Sequence, residues 1–529
     1  MPIQVKCPAC AVTLKVSEKL AGKQGKCPKC AARVTIPGVD SVEPLAPQGR
    51  MATAATLAPP PVEQPPRTTP PLRAGQPAGP VAPQIKQPDP QRVQQRIDQL
   101  FQGEIKPVRT TLGYKVGILL VTGVMIALPL IYLTFVGLVA YGVLYHANYH
   151  VGMLSYGHGR GAIFVFLAYL APMVIGPISI LFMIKPIFAR PGRQITGRSL
   201  TPQGEPILFA FVERLCQIVG APMPSRIDVD YDLNASASFR RGMLSFFGSD
   251  LVLTIGIPLA AGLSLRQFTG VLAHEFGHFS QGVGMRLTYV ARSINAWFAR
   301  VVYERDEWDE FLEETASEID IRIGWILLLC QLFIGISRGL LWILMMIGHG
   351  ISGYMLRQME YDADRYEARV AGSETFAETS LRMRELAAAY GATQLTIINN
   401  IERGTFPDNL PALLLQQADK LPAQTKMEIR NSVAKDKTGL FDSHPADKDR
   451  IASAKKEATP GIFDSTAPAK SLFRDFEALS KNVTWDIYRA MGTDVKPQDM
   501  TPISKLTGPE PTYDSRGRAN YDNSPLPLD

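Results

Sequence analysis

His274, Glu275 and His278 stand in the order H-E-x-x-H within residues 272–281. On a helix, positions four apart share a face, so both imidazoles can reach a single metal ion. Glu275, beside the first histidine, can then hold and deprotonate the water that such a metal activates. The run before it carries apolar residues at 265, 268, 271 and 272, which is helical spacing, and Ser264 is placed to cap that helix. A catalytic zinc takes three protein ligands and keeps one position open, and two histidines with one glutamate is an established set. Downstream, within residues 357–365, Glu360 and Asp364 are again four apart. Glu360 is the expected third ligand. Asp364, one turn on, can accept the spare N–H of a ligand histidine and fix its tautomer. The chemistry implied is hydrolysis by activated water.

A second metal-ligating set opens the chain. Cys7, Cys10, Cys27 and Cys30 form two C-x2-C knuckles separated by 16 residues, the pattern of a four-cysteine zinc ribbon over residues 1–37. So short a stretch buries little apolar surface, so a structural zinc would supply most of its folding energy. Thiolate-bound zinc favours a reducing compartment, which places this end in the cytoplasm. The ribbon is basic (Lys6, Lys15, Lys19, Lys23, Lys26, Lys29, Arg33). Those residues could touch nucleic acid, but a solvated charged face or a protein-docking module, with a protein adaptor as partner, is the preferred reading. A net charge of +6 over 529 residues by itself makes no case for nucleic-acid binding. Residues 38–91 follow as a Pro-, Ala- and Gln-rich linker with no periodicity, which reads as a disordered tether.

The elements that must position the first set include a membrane anchor. Mean hydropathy is +0.02 despite 41 prolines and 20% charged residues, so polar and strongly apolar segments are averaged together. Residues 116–145 contain no Asp, Glu, Lys or Arg, and residues 162–188 contain only Lys185. Each is long enough to span a bilayer, and 116–188 reads as a transmembrane hairpin. Basic residues flank both outer ends (Lys106, Arg109, Lys115; Arg190, Arg193, Arg198), whereas the intervening loop holds only Arg160. The flanks are therefore expected in the cytoplasm and the loop outside. His146, His150 and His158 fall in that loop and are read as interfacial. Val93, Ile97, Leu100, Phe101 and Ile105 share one helical face within residues 92–115, which suits either a membrane surface or packing on another domain.

Past the hairpin, residues 207–219 read as a helix, and 227–232 and 251–255 as short strands. Between the strands, Asn234-Ala235-Ser236-Ala237 is a run of small residues that suits either an ordinary loop or an edge open to an extended peptide. Residues 323–355 are apolar, longer than one span and too short for two. Because His274, His278 and Glu360 must meet, the chain between them crosses the bilayer an even number of times. This predicts a membrane-associated helical hairpin bent near Arg338, in which Cys330 and His349 are structural. Residues 456–529 read as a helical segment around 472–491 and a disordered tail from 507.

H-E-F-G-H followed by E-Y-D-A-D resembles the HtpX-like and CAAX prenyl protease group of membrane zinc endopeptidases. Asn234–Ala237 resembles that family's N-A-x-A segment along the substrate cleft. Asp442-Ser443-His444-Pro445 with Arg450-Ile451 resembles its later S/T-H-P…R-I element. The resemblance covers about residues 196–455 and the preceding hairpin. It implies a mainly α, integral membrane zincin-type peptidase domain with a small β-sheet. It further implies zinc on His274, His278 and Glu360, with Glu275 as base. His444 and Arg450 are then expected to stabilise an oxyanion or to make a regulatory contact with the metal. The expected protein is a membrane-bound zinc endopeptidase with one catalytic and one structural zinc, acting on protein or peptide substrates at the cytoplasmic face of a bacterial-type inner membrane. Membrane protein quality control is the substrate class implied. The alternatives are processing of prenylated C-termini, or a ribbon-driven sensor with the zincin core as scaffold.

Overall fold

The computed structural model describes residues 3–6, 13–16, 24–26, 33–35, 89–108, 111–157, 159–185, 197–239, 250–280, 283–303, 321–439, 442, 444–506, 512–513 and 519–520. The chain divides into two units, residues 1–84 and 85–529. In the first, β1 (Ile3–Lys6) pairs antiparallel with β2 (Thr13–Val16), and β3 (Gln24–Lys26) with β4 (Arg33–Thr35). Each hairpin connection contains one C-x2-C pair in sequence. Cys7, Cys10, Cys27 and Cys30 themselves lie outside the described residues, as does the linker up to residue 88.

The second unit opens with α1 (Pro90–Leu100), started by Asp89, whose carboxylate accepts the Gln91 N–H. Of the two surfaces that its apolar face suits, the structure selects packing on the following domain. Ile97 and Phe101 are buried, and the Phe101 ring lies 4.8 Å from Phe463 and 5.9 Å from Phe211. The amphipathic helix expected over residues 92–115 is thus confined to Pro90–Leu100, and its apolar stripe is turned to the domain, with Val93, Leu100 and Ile105 partly buried against it.

Among the described residues, three helices are long and apolar enough to cross a membrane. They are α2 (Leu112–Tyr149), α3 (Ala162–Ile184) and the apolar part of a helix that begins at Ile321. Their large apolar side chains, such as Leu120, Leu138 and Phe164, are exposed, as a lipid-facing surface requires. Inside the bundle, hydroxyls join the helices: Tyr132 donates to the Met183 carbonyl at 2.8 Å and accepts from Ser337 at 2.7 Å. Among the loop histidines, His146 Nε2 lies 3.1 Å from the Tyr169 carbonyl, and its ring stacks on Tyr169 and lies tilted 5.1 Å from the His150 ring; His158 lies outside the described residues.

The peptidase domain holds a four-stranded sheet in the order β5 (Arg198–Leu200), β6 (Arg226–Asp230), β8 (Leu251–Gly256), β7 (Ala235–Phe239). Strands β6 and β8 run parallel, and β7 is an antiparallel edge strand paired Ala235↔Ile255 through Phe239↔Leu251. One face is covered by α4 (Pro206–Val219), whose Leu208, Phe211, Val212 and Leu215 are buried with Ile227, Val229, Leu253 and Ile255. The short α5 (Ile257–Gly262) leads to α6 (Leu265–Ser280), then α7 (Val283–Tyr303), α8 (Ile321–Ala371) and α9 (Ser373–Glu402). Helices α10 (Leu410–Asp419), α11 (Ala423–Lys435), α12 (Asp447–Lys456) and α13 (Phe476–Ala490) complete the domain, with Tyr488 fully buried.

The hairpin expected at residues 323–355 is not formed. Helix α8 runs unbroken for 51 residues, about 77 Å at 1.5 Å per residue. No proline interrupts residues 321–371, and an unbroken helix satisfies every backbone group within lipid. Ser337, the expected break, instead meets Tyr132. Helix α7 packs against α2 and α8 through Val290, Ala291, Ile294 and Phe298 despite its arginines. Asn295 of α7 donates to Ser352 of α8 at 2.9 Å. His349 bonds back to the Met345 carbonyl within α8, and the side chain of Cys330 is outside the described residues.

Candidate active site

Helix α6 starts with a reciprocal cap. Ser264 Oγ accepts the Gln267 N–H at 3.3 Å, and Gln267 Oε1 accepts the Ser264 N–H at 3.1 Å. From there the helix lies against α8, and two glycines set the spacing. A Cβ on Gly270 would come within 3.0 Å of the Ala371 Cβ, and one on Gly277 within 2.9 Å of the Tyr366 ring. Seven residues apart, Gly270 and Gly277 line one face of α6, with His274 midway between them. The close approach carries His274 and His278 to Glu360 and Asp364 of α8.

All four side chains are buried. His274 Nε2 stands 3.5 Å from Glu360 Oε2, and His278 Nε2 stands 3.8 Å from Glu360 Oε1. One ligand atom from each of the three residues falls within 4.8 Å of the others. With Zn–N distances of 2.0–2.1 Å, two donors of a tetrahedral zinc stand ~3.3 Å apart, so this donor set fits that ion after small adjustments. The other nitrogen of His274, Nδ1, lies 3.0 Å from Asp364 Oδ1, which directs Nε2 to the metal side.

The protonation states are set by burial and by these carboxylates. Burial opposes a charge on His274, but hydrogen bonds to Asp364 and Glu360 outweigh it and raise its pKa to about 10. Burial, reinforced by neighbouring His274, lowers His278 to about 3, which keeps the imidazole neutral. Burial also pushes the Glu275 carboxyl above its ordinary value.

Arg450 of α12 reaches the site through Asp364. Its Nε and Nη2 grip Asp364 Oδ2 and Oδ1 at 3.0 and 2.6 Å. Two of its three nitrogens are engaged by this buried carboxylate, while the residue also lines the cleft that holds His274, His278 and Glu360. Asp364 is thus held by Arg450 on one side and holds His274 on the other. His444 stands closer to the metal side, half-exposed, with Nε2 3.6 Å from Glu360 Oε1. Partial burial, together with Arg292 and Arg450, outweighs Glu360 and lowers its pKa. Ser443 lies outside the described residues.

A cleft of roughly 430 Å³ opens over these groups, with Asn234, Ala235, Ser236 and Ala237 along one wall. The Gly256 N–H bonds the Asn234 carbonyl at 2.8 Å, so alternate residues Ser236 and Ser238 face β8, while Ala235 and Ala237 turn their backbone groups to the open edge. The Ala237 N–H donates to Glu275. The four small residues are therefore an edge strand with its entry turn, and not an ordinary loop. Helix α9 contributes Thr379, Ser380, Met383 and Arg384 to the cleft.

Two residues near the metal side lie outside the sequence-derived set. Arg292 of α7 donates to Glu360 Oε1 at 2.9 Å, and Glu367 of α8 lies 3.9 Å from His274 Nδ1. Glu367 is i+3 from Asp364 on the same helix face, a spacing that could have found it. Arg292 carries no comparable local signal.

Helix α6 with its paired imidazoles, a facing glutamate on α8 and an adjacent edge strand define a zincin-type peptidase domain anchored by membrane helices. The comparisons agree: residues 202–458 match the model of Peptidase family M48. The chain is 23% identical over 262 residues to Protease HtpX of Acinetobacter baylyi, covering 49% of this chain and 73% of that protein. It is 25% identical over 269 residues to Protease HtpX of Pseudomonas savastanoi pv. phaseolicola, covering 50% and 76%. It is 26% identical over 248 residues to Protease HtpX of Acinetobacter baumannii, covering 45% and 74%. No solved structure matches the chain. Residues 202–458 thus match an M48 peptidase domain, and these findings support a membrane-bound zinc metallopeptidase similar to the HtpX proteases.

Proposed function

We propose that the protein hydrolyses peptide bonds in membrane-associated or damaged proteins at the cytoplasmic face of the membrane, in the manner of a quality-control protease. The observation that carries this reading is that the helix bearing Glu360 is also the helix that enters the membrane bundle. Glu360 follows the end of the apolar run at Met355 by five residues, about 7.5 Å of helix, so the cleft opens beside the bilayer surface. The relatives named as HtpX proteases support general proteolysis over the processing of prenylated C-termini.

In this reading His274, His278 and Glu360 hold the catalytic zinc. Bound there, zinc supplies the Lewis acidity that lowers the pKa of water to ~7. Glu275 takes a proton from the attacking water and passes it to the leaving amine. An extended substrate pairs with the open edge of β7, at the Ala235 and Ala237 backbone groups, which would free Glu275 from the Ala237 N–H. His444, open to the cleft, donates a hydrogen bond to the developing oxyanion. Asp364, locked by Arg450, keeps His274 oriented. The N-terminal ribbon holds its own zinc through Cys7, Cys10, Cys27 and Cys30. It recruits a protein adaptor or substrate over a tether of about 50 residues, reaching on the order of 40 Å.

The test is a cell carrying Glu275→Gln, compared with wild type by quantitative mass spectrometry of the membrane fraction. Membrane-associated proteins should accumulate and should be cut by the purified wild-type enzyme. No accumulation, or accumulation of prenylated proteins alone, would overturn the substrate assignment.

A further inference from the structure

Arg292 belongs by its backbone to the membrane bundle, yet its side chain reaches the metal-site carboxylate. Its neighbours Ala291 and Ile294 are buried among the bundle helices, and Asn295, one turn on, bonds Ser352 of α8. Position 292 is thereby fixed relative to α8 from both sides. From there Nη2 donates to Glu360 Oε1 at 2.9 Å. Glu360 is 2% exposed, so this guanidinium stands in for solvent at that oxygen.

The two oxygens of Glu360 have different surroundings. Oε2 stands 3.5 Å from His274 Nε2, while Oε1 takes the Arg292 N–H at 2.9 Å and lies farther, 3.8 and 3.6 Å, from His278 Nε2 and His444 Nε2. A carboxylate can chelate a metal through both oxygens or bind through one. A charge-assisted hydrogen bond to one oxygen commits it and leaves the other for the metal. We propose that Arg292 is a positioning residue that holds Glu360 as a one-oxygen zinc ligand, so that packing of α7 in the membrane bundle sets the strength of the metal site. This rests on the reading of Glu360 as third ligand. The arginine acts through Glu360 and has no part in the proton transfers assigned to Glu275.

The experiment measures zinc affinity by chelator competition on the full-length protein in detergent micelles, following the zinc that Glu360→Ala loses. Arg292→Met should weaken that zinc about 10- to 100-fold, the range for loss of an outer-shell partner, and Arg292→Lys should fall closer to wild type. The helical circular dichroism of the metal-stripped Met variant should match wild type; if that variant fails to fold, the Lys variant still carries the comparison. Affinity unchanged or tightened in Arg292→Met would overturn the proposal, and so would a Lys variant no better than Met. Zinc undiminished in Glu360→Ala would instead bring down the third-ligand reading. The two failures are therefore distinguishable.

Discussion

Arg450 closes on Asp364 with two nitrogens, at 3.0 and 2.6 Å, and the same carboxylate stands 3.0 Å from His274 Nδ1. Three helices, α12, α8 and α6, are thus joined by a run of cation, carboxylate and imidazole. Removing the arginine leaves a buried carboxylate without its counter-charge. Arg450→Met should cost about 3–5 kcal/mol of stability and loosen the zinc. Arg450→Lys should recover only part of this, because a point charge cannot make the bidentate contact. Denaturant midpoints and zinc content of the purified variants check both statements.

Contact between α6 and α8 depends on missing side chains. Gly277→Ala places a methyl 2.9 Å from the Tyr366 ring and 3.1 Å from its Cβ, which cannot rotate away. The helices must separate by a few tenths of an ångström, at an expected cost of about 1–3 kcal/mol. Since the same contact brings His274 to Glu360, zinc retention should fall together with the unfolding midpoint. A variant that unfolds earlier yet keeps its zinc would separate packing from metal geometry.

How much of this could be read from the sequence depends on whether the signal was local. The H-E-x-x-H turn, Glu360 with Asp364, and the Ser264 cap each sit within a few residues, where helical spacing carries the information. The role of Arg450 depends on an 86-residue separation from Asp364, and no spacing rule pairs them. Helix α7 was obscured by Arg286, Arg292 and Arg300, which lower its average apolarity although one face packs in the bundle. With no second span legible between the two metal motifs, residues 323–355 read as a hairpin. Edge strand β7 is equally unmarked, because Ala-Ser-Ala lacks the β-branched residues that announce strands.

The raised pKa of His274 has a measurable consequence. In the metal-free protein this imidazole, with a pKa of about 10, is protonated at neutral pH, whereas as a zinc ligand it must be neutral. Zinc uptake should therefore release close to one proton per catalytic site between about pH 7 and 9, and affinity should rise with pH across that window. His278, lowered to about 3, is already neutral and adds no proton. Calorimetric titrations in buffers of different ionisation enthalpy would count the protons. Affinity falling with rising pH would contradict the assignment.

Orientation is checked with two exposed positions. Tyr156 lies between α2 and α3, and Met427 lies on α11 of the peptidase domain. Against the unsubstituted chain as control, a cysteine at 156 should react with a membrane-impermeant thiol reagent added outside the cell. One at 427 should react only after lysis. The reverse pattern would place the catalytic domain outside.

The central claim is that His274, His278 and Glu360 hold the metal while Glu275 performs proton transfer without being a ligand. Zinc content per chain, measured beside hydrolysis of an unfolded protein, tests it most directly in Glu275→Gln and Glu360→Ala. The account predicts that Glu275→Gln keeps the wild-type zinc content and loses hydrolysis by several orders of magnitude, whereas Glu360→Ala loses one zinc and all hydrolysis. Full zinc content in Glu360→Ala, or substantial hydrolysis by Glu275→Gln, would contradict it.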